Sequence, residues 1–191
     1  MSATVSTVHA GAHGHPEDRP RINALGLWLF IFSETCLFLA FIAARYLLAG
    51  LERPAELNLL LGVGLTVILV ASSGSAYAAR RAMADGDRGR ASAFLLVTIA
   101  LGLLFVAGVA VEWSSAGFGL DSAFGTTFFS ATGLHLMHVI SSVVVLALLL
   151  RLLRRGHFSA TDHWGVDAVV RYWTFVDAVW VVLIFPTFYL L

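Results

Sequence analysis

Lysine is missing altogether from this chain, and cysteine occurs once. All twelve basic residues are arginines, balanced by twelve acidic residues, so net charge points to no polyanionic partner such as nucleic acid. The lone Cys36 cannot close an internal disulfide and excludes any centre that needs two thiolates. Charge as a whole is scarce: 13% of residues carry it, against about 25% in ordinary soluble domains. That deficit excludes a soluble globular fold of ordinary make. Also absent are a nucleophile–base arrangement, a phosphate-cradling glycine loop and any internal repeat. No apolar signal-peptide core opens the sequence, so its first apolar block is expected to be a retained helix.

Apolar residues take the place of the missing charge. They make up 59% of the 191 residues, with a mean hydropathy of +0.85. They fall into five blocks: Gly26–Leu48, Asn58–Ala79, Ala93–Val111, Thr126–Leu150 and Val169–Leu191. A helix needs about 20 such residues to cross the hydrocarbon core. The predicted fold is therefore all-α, an integral membrane bundle of five transmembrane helices. Short connections with breaker residues separate the blocks: Arg53-Pro54, Asp85-Gly86-Asp87, Gly117-Phe118-Gly119 and Arg155-Gly156. Residues 1–21 are polar and are expected to form a cytoplasmic tail, with residues 22–191 as the membrane domain. The tail's His9, His13 and His15 are read as part of that segment rather than as a metal site.

Arginine placement predicts orientation, because basic residues flanking spans are retained inside. Ten of the twelve fall in the tail and the second and fourth connections, leaving only Arg45 and Arg53 opposite. The amino terminus is thus expected inside and the carboxyl terminus outside. Gly62, Gly64, Ala71, Ser72, Ser73, Gly74, Ser75 and Ala76 make the second helix rich in small residues, which predicts close helix packing.

Ionisable side chains in hydrocarbon cost several kcal/mol and need a partner or a purpose. Glu34, His135, His138 and Asp177 lie within spans. From the helical rise, Glu34 and Asp177 each sit roughly 12 Å below the inner end of their helix, and His138 roughly 18 Å. A shared polar cluster is the expectation if these helices are neighbours. Glu34, with no evident cationic partner in its apolar helix, is expected to keep its proton at neutral pH. Asp177 is read as structural, pairing with a histidine or hydroxyl. Glu112, near an outer end, is left outside the cluster.

A metal or haem in this chain is not expected. A haem clamped between two histidines needs one from a second span, yet the other five histidines lie in the tail or a loop. A carboxylate-bridged di-iron site wants Glu-x-x-His pairs on two helices, and none is present. No catalytic residue is assigned.

Three stretches resemble the cytochrome c oxidase subunit III family. They are Gly26-Leu27-Trp28-Leu29-Phe30-Ile31-Phe32-Ser33-Glu34, the run from Glu112-Trp113 through Asp121 to Phe128-Phe129-Ser130-Ala131-Thr132-Gly133-Leu134-His135-Leu136-Met137-His138-Val139, and Tyr172-Trp173-Thr174-Phe175-Val176-Asp177-Ala178-Val179-Trp180. The motifs are long and ordered, and the resemblance covers nearly everything after about residue 22. Two departures stand out: Thr174 replaces the family's usual histidine, and Leu136 a usual glycine. The resemblance implies the five-helix bacterial form, and Glu34 as the family's carbodiimide-reactive intramembrane glutamate.

The resemblance also implies a non-catalytic subunit of a haem–copper terminal oxidase in the bacterial plasma membrane. Such an oxidase reduces oxygen to water and translocates protons, with haem and copper in partner subunits. The chain would pack on the catalytic subunit I together with subunit II, hold phospholipid, help oxygen reach the active site and support proton uptake. Arg151 and Arg154 are the residues assigned to phosphate headgroups. A subunit III-like accessory protein of a nitric oxide reductase would share these motifs. A small proton-coupled transporter using Glu34 and Asp177 is the alternative from another class, though the paired broken helices common in transporters are missing.

Overall fold

A computed structural model describes residues 19–51 and 54–191, with helical side chains from Ile22 onward. Five helices follow in order: α1 (Arg19–Ala49), α2 (Leu59–Ala84), α3 (Arg88–Ser115), α4 (Ala123–Arg154) and α5 (Trp164–Val179). The last continues through two π-helical turns, Trp180–Ile184 and Pro186–Leu190. No strand occurs among the described residues. All five are long and apolar enough to cross a membrane.

The helices overrun the apolar blocks. Arg80, Arg81, Arg88, Arg90, Arg151 and Arg154 all lie inside helices, where hydropathy alone would have stopped short. A helix of 31 residues such as α1 is roughly 46 Å long, more than the ~30 Å of hydrocarbon. The start of α1 at Arg19 falls three residues inside the segment expected to be tail; residues 1–18 lie outside the described part.

Local chemistry sets the ends. The side chains of Asn58, Asp87 and Ser122 accept hydrogen bonds from the Leu61, Arg90 and Gly125 amides at 3.1, 2.9 and 2.9 Å, capping α2, α3 and α4. Gly86 and Gly156 follow α2 and α4 with φ of 80° and 83°, a left-handed geometry that suits glycine. In α5, Pro186 has no amide to donate to the preceding turn. The Phe185 amide bonds the Trp180 carbonyl and the Leu191 amide bonds that of Pro186, both with π spacing. Along this stretch Trp180, Ile184, Phe188 and Tyr189 are all buried.

The packing forms a ring, α1–α4–α3–α2–α5 and back to α1, with α4 and α5 also in contact. Both are far more buried than α1, the least covered span. Small residues on α2 serve this packing unevenly. Gly62 lies against the Tyr189 ring, leaving no room for a Cβ, whereas Gly64 and Gly74 face open space. Close approach at this helix is therefore a property of one face only.

Candidate functional site

The expected cluster is divided between two sides of α4. Glu34 on α1 meets His138 on α4, Oε2 to Nε2, at 2.9 Å. The other ring nitrogen, Nδ1, lies 2.7 Å from the Leu134 carbonyl. A carbonyl only accepts, so Nδ1 carries a hydrogen. One proton is then left for the 2.9 Å contact, placed on either the carboxyl or the imidazole. Both placements are neutral as a pair, which lowers the cost of two ionisable groups in hydrocarbon. Glu34 thus has a hydrogen-bond partner that its own helix does not reveal: His138, from a helix distant in sequence. The pair stands beside a recess of about 240 Å³ lined by Leu134, Met137, His138, Ser141 and Tyr172.

His135, one turn away on α4, does not join this pair. Its Nε2 donates to the Val176 carbonyl at 3.0 Å, and the residue is fully buried. Phe38, Phe105 and Trp180 surround the ring at centroid distances of 6.3, 5.6 and 5.3 Å. Nδ1 meets no hydrogen-bond partner. The neutral tautomer protonated at Nε2 leaves only a lone pair there, the least costly state in an aromatic cage. Asp177 lies on the α2 side of α5. Its Oδ2 accepts from Ser73 at 2.6 Å and Ser72 at 3.0 Å, and Trp173 Nε1 donates to the Ser72 hydroxyl at 3.0 Å. Hydroxyls, not a histidine, are its partners. Thr174 donates to the Val170 carbonyl at 2.9 Å, a bond within its own helix.

Three residues carry more than their sequence positions suggested. Arg45, counted as an outer charge, is almost completely buried near the end of α1; it bonds the Gly50 carbonyl and stacks 4.7 Å over the Phe124 ring. Glu112, left outside the cluster, is buried too and accepts from the Tyr189 hydroxyl at 2.6 Å. Tyr189 reaches it from the π-helical end of α5. No hydropathy or motif signal joins positions 77 residues apart; a carboxylate closing an apolar block was the only clue.

Arg151, Arg154 and Arg155 line a recess of about 330 Å³ with Ala147 and Leu150 at the end of α4. Among the described residues, no group of three or more His, Cys, Asp or Glu side chains stands close enough to hold a metal. Cys36 is exposed on α1.

The family model for cytochrome c oxidase subunit III matches residues 5–191. The chain is 35% identical to cytochrome c oxidase subunit 3 of a Synechocystis species over 182 residues, which cover 91% of this chain and 76% of that one. The protein of the same name from Thermostichus vulcanus is 33% identical over 199 residues, covering 100% and 98%. That of Ornithorhynchus anatinus is 39% identical over 171 residues, covering 83% and 66%. A match that runs through all five helices, to relatives that share one name, leaves a single assignment: the chain belongs to the cytochrome c oxidase subunit III family, as a membrane subunit of a haem–copper oxidase complex.

Proposed function

We propose that this subunit supports the oxidase without carrying its chemistry. In this reading it packs against subunit I, with subunit II in the same complex, in a bacterial plasma membrane, amino terminus inside. Haem and copper stay in the partner subunits; here the Glu34–His138 pair handles protons. The single observation that carries this reading is the 2.9 Å contact between Glu34 Oε2 and His138 Nε2. A pair that is neutral with the proton on either partner can pass it between them without creating a net buried charge. The adjoining recess, with the Ser141 hydroxyl and Tyr172 on its wall, supplies polar groups beside it.

The arginine recess at the end of α4 supports a phospholipid site. Arg151 and Arg154 would hold the phosphate, with the apolar flank of α4 along the acyl chains. The test is affinity capture of the tagged chain from native membranes in mild detergent, read by visible spectroscopy and mass spectrometry. Co-isolation of haem- and copper-bearing subunits with tightly held phospholipid is the expected result. A colourless chain obtained alone in several detergents would overturn the accessory role and favour the transporter reading.

A further inference from the structure

Where α2 begins and α3 ends, the bundle encloses a recess of about 140 Å³. Its walls come from Glu56, Leu57, Asn58, Glu112, Ser115, Ala116 and Phe118, and the polar side chains among them offer mainly oxygen. Glu112 is only 3% exposed. Its Oε2 takes the Tyr189 hydroxyl at 2.6 Å, whereas Oε1 is buried and meets no hydrogen-bond partner among the described residues. The packing of Tyr189 against Gly62 holds the phenol in place. Glu56 lies so close over Gly117 that a Cβ there would meet its side-chain carbons at 2.9–3.0 Å. Among the described residues, neither Glu56 nor Glu112 forms an ion pair.

Two carboxylates at one recess, one of them desolvated with an unused oxygen, form an arrangement that folding alone does not favour. We propose that this recess binds a hard divalent cation of the calcium type. Glu112 Oε1 and the Glu56 carboxylate are its charged ligands, and Asn58, Ser115 and water supply the remaining oxygens. Hard cations select oxygen ligands and retain water readily. The volume has room for an ion with a few waters, each needing about 30 Å³. With two charged ligands on an exposed turn, affinity belongs in the ~10⁻⁴–10⁻³ M range of weak calcium modules.

The test uses the detergent-purified oxidase complex, stripped with chelator and dialysed against radioactive Ca²⁺ at about 1 mM. Wild type is expected to bind roughly 0.5–0.9 Ca²⁺ more per complex than Glu56→Gln, the occupancy that this affinity range gives at that concentration. Sites on other subunits cancel in that difference. Glu56 is exposed on a turn, so the variant should retain the fold; a gel confirms that the subunit is still present. Glu112→Gln should lose the same ion. If Glu112→Gln fails to assemble, the Glu56→Gln comparison decides alone. Equal stoichiometry in wild type and Glu56→Gln would overturn the proposal and leave a recess filled by water.

Discussion

His135 and His138 stand one turn apart on α4 and occupy opposite environments. The first is enclosed by Phe38, Phe105 and Trp180 and bonded to a backbone carbonyl of α5. The second faces the thinly covered α1, lies at hydrogen-bond distance from Glu34 and borders a recess. The inner side extends from His135 through Val176 to Asp177, Ser72 and Trp173, so three helices are tied by buried hydrogen bonds. The outer side ties two side chains and leaves them beside a recess. The same residue type at nearly the same depth therefore holds the bundle in one case and pairs with a carboxyl group beside a recess in the other. What differs is the neighbour each side chain meets, and that is decided by the ring order of the helices.

The largest effect should come from breaking the inner side. Trp173 is fully buried, and its indole donates to Ser72, which in turn supports Asp177. Trp173→Ala removes the ring and a hydrogen bond at once, for an expected loss of about 3–5 kcal/mol. Reversible unfolding in mixed micelles, titrated with sodium dodecyl sulfate, would measure it. A loss below about 1 kcal/mol would show that the α2–α5 contact does not hold the bundle.

Next in size is His135→Ala, which strips the Val176 carbonyl of its donor and leaves a gap among three aromatic rings. Its expected cost is about 1–3 kcal/mol in the same titration. The matching His138→Ala should cost less, because interhelical polar pairs in membranes average about 0.6 kcal/mol. The inverse ranking would reverse the contrast between the two sides and make His138 the structural member.

Much of this was legible in the sequence, for physical reasons that also mark where legibility ends. Five spans follow from apolar block length, and Glu34, His135, His138 and Asp177 stand out because charge in hydrocarbon is costly. Depth along each helix could be counted from the rise per residue, and it put Glu34 level with Asp177 and within about one turn of His138. Which helix neighbours which could not be counted. The small size of Ser72 and Ser73 is a local property and predicts packing, whereas donating to Asp177 depends on α5 lying beside α2. Tyr189 stayed hidden for a further reason. Its approach to Glu112 depends on the π turns around Pro186, which shift side-chain facing in a way a 3.6-residue period does not convey. The turn at Gly86 shows the converse: chemistry within a few residues is readable, chemistry across 77 is not.

The smallest expected change in stability is also the sharpest test of the comparison. Glu34→Gln keeps the length and polarity of the side chain, and its amide can still donate to His138 Nε2. Unfolding should shift by less than about 1 kcal/mol, in line with other interhelical polar contacts in membranes. What the amide cannot do is release a proton. Infrared difference spectra across a pH titration should therefore lose the carboxyl signal of Glu34, and the oxidase complex carrying the variant should take up protons more slowly during turnover. Should Glu34→Gln destabilise the bundle as much as Trp173→Ala, the Glu34–His138 pair would belong with His135 and Asp177 as structural support. Unchanged proton uptake in a fully assembled variant would separate the pair from proton handling altogether, because its one exchangeable proton would then be idle.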